Sequence, residues 1–262
     1  MSYLYRDQNT ASLAEHLRQD SLLILPIGTT EEHGAHLPVD TDARIAEAYG
    51  AGLAAALEGQ LPLLLLDTVR YGYSMKIMRN WSGTIIVRSR VFMDYIYDLC
   101  ISLMEMGFTK IALLDCHGHH SGALNVVSRE LCDARDMPIA IISPAKLSTP
   151  AYQAIRKSPR GGSIHGGEWE TSLVMHISPE VVDLSKATSE DIMRYQSEFV
   201  AGDNFEGSQK VTWSTWYLQP SVQGIYGDPL VASAETGKVI MEAAIEVGAR
   251  FLMEFWRSGR ER

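Results

Sequence analysis

Four apolar runs, set between stretches of helical periodicity, constrain this chain more than any other feature. They are Leu22–Ile27 (LLILPI), Leu61–Val69 (LPLLLLDTV), Lys110–Cys116 (KIALLDC) and Pro138–Ser143 (PIAIIS). A strand with one wet face alternates apolar and polar residues. These runs do not, so each must be covered on both faces. Between them, Asp42–Leu57, Val91–Met106 and Ser121–Arg135 repeat apolar residues at helical spacing. Alternating strands and helices predict βαβ units and a parallel sheet with helices on both sides. The expected fold is a three-layer α/β/α sandwich with a mainly parallel sheet. Further helices are predicted over Glu168–Ile177, Ser189–Phe199 and Ser233–Trp256. The intervening Val200–Val231, rich in Gly, Gln, Trp and Tyr, is expected to be irregular and to cover a site or a subunit contact. No linker or repeat interrupts the pattern, so residues 1–262 read as a single domain.

Composition narrows the partners. Lys and Arg total 23 against 32 Asp and Glu, a net charge of −9. A chain this acidic is poorly suited to binding nucleic acid or anionic membranes through its overall charge, and the partner expected is a small-molecule substrate. The longest apolar stretch lies near Leu61–Leu66, far short of the roughly 20 residues that span a bilayer. Residues Met1–Thr10 show no basic segment followed by an apolar run. Three cysteines cannot form a disulfide scaffold. The expected location is the cytoplasm.

Parallel sheets bind ligands beyond the carboxyl ends of their strands. The first predicted strand runs into Gly28–His36 (GTTEEHGAH) and the third into Asp115–His120 (DCHGHH). These two loops hold five of the eight histidines. Asp40-Thr41-Asp42 opens the first helix, and His165–Glu170 (HGGEWE) adds an imidazole and two carboxylates at another helix start. Mixed imidazole and carboxylate donors suit Zn, Mn or Fe(II). Glu31, His33, Asp42, His117 and Glu168 supply five candidate ligands and His119 a sixth, more than one ion needs. Two divalent ions sharing a carboxylate would acidify water for hydrolysis. There is no HExxH, nucleophile elbow, Walker loop or GxGxxG. His117-x-His119 mimics the opening of a barrel amidohydrolase, but it ends the third strand, not the first. Cys116 closes a buried strand and reads as packed, not nucleophilic. Asp40 reads as a helix cap, Glu32 as solvated or supporting, Glu170 as orienting a ligand, and His176 as a packed helix residue.

The same segments resemble the creatininase (creatinine amidohydrolase) family. The matching stretches are Leu25–Asp42, Asn80–Val87 (NWSGTIIV), Leu113–Gly122, His165–Leu184 and Gly227–Gly237, in family order. The resemblance implies a creatininase-type α/β/α sandwich, a homohexamer and a dinuclear metal site. Carried over, Glu31, Asp42 and His117 would hold one ion and His33 and Asp42 the other, with Asp42 bridging. The remaining ligand falls between Glu168 and His119, with Glu168 favoured and also placed among the catalytic residues. His165 matches the family's site histidine, a proton donor to the leaving group. His119 then faces the substrate.

Departures from the family bear on the substrate. Asp115-Cys116 replaces the usual Asn-Gly. Gly161-Gly162 stands where creatininase has Trp-Asp, and no tryptophan lies near Ser143-Pro144. Lys76 and Arg79 fall in a loop expected to face the substrate. Creatinine is therefore disfavoured against a polyhydroxylated or anionic substrate. The resemblance implies C–N hydrolysis first, with Zn the leading metal. Some relatives open an oxidised inositol ring, which makes C–C hydrolysis of a cyclic diketone the alternative. A non-catalytic metal-binding protein is the reading from another class.

Overall fold

The computed structural model describes residues 2–211, 213 and 216–258. In chain order the helices and strands are α1 (Thr10–Arg18), β1 (Leu22–Ile27), α2 (Thr41–Leu57), β2 (Leu63–Leu65), α3 (Ser89–Met106), β3 (Lys110–Asp115), α4 (Ser121–Arg135), β4 (Ile139–Ile142), α5 (Pro144–Ile155), β5 (Ser163–His165), α6 (Glu168–Ile177), β6 (Tyr226–Gly227) and α7 (Ala234–Arg257). β2, β1, β3 and β4 lie side by side, all parallel. β5 and β6 form a separate antiparallel pair.

The two-residue period of a strand sorts the apolar runs between two cores. Leu22, Ile24, Leu63, Leu65, Ala112 and Leu114 face α2, α5, α6 and α7. Leu23, Leu25, Ile27, Leu64, Ile111 and Leu113 face α3 and α4. Every residue of β1 and β3 is buried, as uninterrupted apolar runs require. The mainly parallel sheet flanked by helices is the expected three-layer arrangement.

Two predicted elements differ. The second run forms regular ladder only over Leu63–Leu65. Beyond it the chain still follows β1: the Leu66 amide donates to the Ile24 carbonyl and the Val69 amide to Pro26. Three residues on one side span two on the other, and that bulge ends the regular ladder. The predicted helix over Ser189–Phe199 is irregular. Its polar groups bond across the fold instead. The Asp191 carboxylate accepts from the Val222 and Gln223 amides and the Ser221 hydroxyl. The Met193 amide donates to Gly161 and the Arg194 amide to the Gln219 side chain. These long-range partners outcompete the i−4 carbonyls that a helix would offer. The described residues of 200–231 are largely irregular, as expected.

The strand order places a topological switch between β1 and β3. The chain steps from β1 outward to β2, then returns to the other side of β1 and continues to β4. The crevice at such a switch is where α/β sheets bind ligands. Gly28 lets α2 start directly over it. A Cβ at position 28 would lie 2.5 Å from the Ala43 nitrogen and 2.7 Å from the Asp42 carbonyl carbon, both backbone atoms. Gly28→Ala should therefore push the first turn of α2 outward and cost about 1–3 kcal/mol or more, as overpacking does. Calorimetry reads the loss, and an unchanged Tm would show that the turn can yield freely.

Candidate metal centre

Four chain segments meet at the switch. The loop after β1 brings Glu31 and His33. The first turn of α2 brings Asp42, the loop after β3 brings His117 and His119, and the β5–α6 junction brings His165 and Glu170. Glu31, His33 and Asp42 are at most 1% exposed, and His117 and His165 are 7% and 4% exposed. Three sets have donor atoms within 4.8 Å of one another: Glu31, His117 and His119; His33, Asp42 and Glu170; Glu31, His33 and His165.

Backbone groups set the histidine tautomers. His33 Nδ1 lies 3.0 Å from the Glu31 carbonyl, which can only accept, so Nδ1 carries the proton. Nε2 is left as a lone pair, 3.4 Å from Asp42 Oδ1 and 3.9 Å from Glu170 Oε2. His165 Nε2 donates to the Glu32 carbonyl at 2.7 Å. Its Nδ1 faces Glu31 Oε2 at 3.7 Å. His117 Nδ1 sits 2.9 Å from Asp42 Oδ2 and 3.6 Å from Glu31 Oε2. The Met75 amide reaches His119 Nδ1 at 3.4 Å.

Asp42 thus turns one oxygen to His33 and the other to His117. Nevertheless Asp42 Oδ2, His33 Nε2, His119 Nε2 and both Glu31 oxygens are buried without a hydrogen-bond partner. The short contact between His117 and Asp42 brings two groups together without a well-aligned hydrogen bond. Buried polar atoms are almost always paired. His119 Nε2 carries that ring's proton, because Nδ1 accepts from the Met75 amide, but the buried, converging lone pairs of Asp42, His33 and Glu31 are what a divalent cation would satisfy, so the residues fit such an ion.

The electrostatics agree. Burial penalises a charged His117, yet Glu31 and Asp42 outweigh it and lift the ring to about 9. His33 is raised well above its ordinary value, burial being overcome chiefly by Asp42. Burial would raise Asp42, but His117 and His33 pull it far below the carboxylate range. The cluster therefore draws in positive charge. His119 goes the other way: burial and the cationic neighbours His117 and His165 drive it down to about 2.

Glu168 does not join the cluster, against the sequence expectation. Its carboxylate accepts from the Ser158 amide at 2.7 Å, the Lys157 amide at 3.0 Å and the Tyr152 hydroxyl at 3.1 Å. Glu170 stands in its place, held by the Gly166 amide at 2.5 Å. Two residues along a helix are turned by about 200°, so Glu168 and Glu170 cannot face the same crevice. That geometry was legible in the sequence; which of the two faced inward was not. His119 is brought to Glu31. Lys76 and Arg79 lie on a short 3₁₀ turn, exposed, with no contact to the cluster. They follow Ser74 and Met75, which touch His117 and His119. Burial raises Cys116 well above its ordinary value, as fits a packed thiol. Asp40 occupies the cap position of α2 but spends its carboxylate on Arg44 at 2.6 Å. His176 is exposed, not packed.

Trp216, from the aromatic-rich segment expected to cover a site or a subunit contact, also reaches the cluster. Its ring centroid lies 5.2 Å from that of His119 and 5.9 Å from that of His165. It comes from an irregular segment, where no periodicity assigns a direction to a side chain.

Fold and cluster together define an α/β/α protein with a buried set of donors at the sheet's switch point that could hold metal. The family profile described as creatinine amidohydrolase matches residues 6–252, and the chain belongs to the creatininase family, whose members are hydrolases. It is 29% identical over 236 residues to the mycofactocin precursor peptide peptidase of Mycobacterium ulcerans, covering 86% of this chain and 81% of the relative. It is 24% identical to the 3-dehydro-scyllo-inosose hydrolase of Thermotoga maritima, covering 98% and 85%. It is 23% identical to the creatinine amidohydrolase of Pseudomonas putida, covering 87% and 86%. Solved creatininase structures in Zn–Zn and Mn forms superpose with TM-scores of 0.78 and 0.79 at 21% identity, each covering 97% of this chain and 98% of its own. Among the described residues, no helix is long and apolar enough to cross a membrane.

Proposed function

We propose that the protein is a dinuclear-metal hydrolase of a small cyclic or amide-like substrate other than creatinine, cleaving a C–N bond. Asp42 carries the reading, with one oxygen toward each half of a buried donor set in which Asp42 Oδ2, His33 Nε2 and both Glu31 oxygens have no hydrogen-bond partner. Glu31, His117 and Asp42 hold one ion in this reading, and His33, Asp42 and Glu170 the other. Zn leads and Mn or Fe(II) also suit these donors. Bound ions supply a nucleophile by acidifying water and polarise the scissile carbonyl.

The chain's own groups do the rest. His119 Nδ1 is engaged by the Met75 amide, which leaves the buried Nε2 to carry the N–H and meet a substrate oxygen. His165 is anchored through Nε2 by the Glu32 carbonyl, so Nδ1 is the atom that takes a proton from the attacking water and passes it to the leaving nitrogen. A homohexamer in the cytoplasm is the assembly and location that accompany this reading.

A second reading, C–C hydrolysis of a cyclic diketone, is favoured by Lys76 and Arg79, which make no ion pair among the described residues. The similarity to the dehydro-inosose hydrolase supports it too. Both readings are tested on Zn- and Mn-loaded protein with a cyclic-amide panel and a keto-cyclitol panel, products being identified by mass spectrometry. Water addition across a C–N bond is expected; no turnover on either panel would end both readings. Lys76→Ala with Arg79→Ala should raise KM about tenfold for anionic or polyhydroxylated substrates, a loss of ~1.4 kcal/mol. An unchanged KM for every substrate would remove the case for a polar substrate.

A further inference from the structure

The cluster is closed on one side by a residue from outside the four ligand-bearing segments. Trp216 is half-buried, and its indole meets the imidazoles of His119 and His165 at steep angles of 62° and 73°. Among the described residues it is the aromatic ring that touches both. Behind it, Tyr226 packs at 4.7 Å, nearly perpendicular at 81°. The Tyr226 hydroxyl lies 3.2 Å from the Trp216 carbonyl and 3.2 Å from the Gln219 carbonyl, so ring and backbone are held by the same residue. Further along, Asp191 accepts from the Val222 and Gln223 amides, and the Trp81 indole donates to the Val222 carbonyl at 3.2 Å. The segment is thus pinned at several points, and the indole is presented to the site as a fixed wall.

The two histidines that Trp216 touches are those assigned above to the substrate oxygen and the leaving group. A substrate whose scissile bond lies between them must put its leaving portion against the indole. Gly161-Gly162 leaves β5's approach without a side chain that could serve this purpose. An indole wall rewards flat, unsaturated or apolar groups and gives nothing to small hydrated ones.

We propose that Trp216 determines substrate specificity, selecting amides whose leaving portion is planar. This rests on the hydrolase reading, and its test separates the two. Trp216→Ala, Trp216→Phe and, as a control from the same segment, Trp213→Ala are compared with wild type. Trp213 is exposed and packs on Tyr195, away from the histidines. Each protein is assayed on amide pairs sharing an acyl group, one with an aromatic and one with a small aliphatic leaving amine. Wild type and Trp213→Ala should favour the aromatic amine by about tenfold or more in kcat/KM. Trp216→Ala should erase that preference chiefly through KM at unchanged metal content and Tm, and Trp216→Phe should keep most of it. An undiminished preference in Trp216→Ala overturns the proposal while leaving the hydrolase reading intact. If wild type hydrolyses neither member of any pair, a second readout decides. Co²⁺ alone, titrated into the metal-free protein, should quench tryptophan emission in wild type and Trp213→Ala and far less in Trp216→Phe. Equal quenching in all three would overturn the placement of Trp216 beside the ions.

Discussion

Exchange of Asp42 for Ala, assayed after reloading with Zn or Mn, is expected to lower hydrolysis about 10³-fold or more, equivalent to ~4 kcal/mol of lost barrier lowering. The size follows from position. Asp42 is 1% exposed, and its two oxygens point to different halves of the site, 3.4 Å from His33 Nε2 and 2.9 Å from His117 Nδ1. No neighbouring carboxylate can cover both directions, because Glu31 already faces His117, His119 and His165. In the proposed dinuclear site, removing Asp42 therefore takes a ligand from both ions at once. Elemental analysis should show the bound metal falling from two ions to one or none. Circular dichroism should show the fold retained, since Ala is well tolerated in the first turn of α2. Full turnover with two ions in Asp42→Ala would sink the dinuclear reading.

The parts of the molecule legible in the sequence were those governed by burial. Leu22–Ile27 forms the predicted strand because a run covered on both faces needs only the hydrophobic effect to place it. Ser121–Arg135 forms the predicted helix between the site loop and an αL residue at Asp136. The convergence of Glu31, His33, Asp42 and His117 was legible too, since strand ends at a switch point must meet. What the sequence concealed was decided by partners distant along the chain. Ser189–Phe199 has helical-looking spacing but bonds to residues 219–223 and Gly161. Glu168 and Glu170 sit in the same short motif, and the choice between them was made by the Lys157 and Ser158 amides after α5. Trp216 lies where neither a two-residue nor a 3.6-residue period applies.

That choice between two glutamates gives the second large effect, because the two positions should fail in opposite ways. Glu168 is fully buried and is the acceptor for the Lys157 and Ser158 amides, which join α5 to the rest of the site. Glu168→Ala strands both donors, at about 1–3 kcal/mol each, for a total of about 2–6 kcal/mol. In a chain of this size that lowers Tm by roughly 5 °C or more. Metal stoichiometry measured below the transition should stay at two ions, since Glu168 faces away from them. Glu170→Gln should do the reverse. A glutamine oxygen can still accept from Gly166, so Tm should hold. The negative charge opposite His33 is lost, and with it the ion that the proposed site assigns to His33 and Asp42, so metal content should fall toward one and activity by about 10²-fold, ~2.7 kcal/mol. The pair of outcomes distinguishes a carboxylate that braces a loop from one that holds a metal. Loss of an ion at normal Tm in Glu168→Ala, with two ions retained in Glu170→Gln, would restore the ligand that the sequence favoured and refute the geometry.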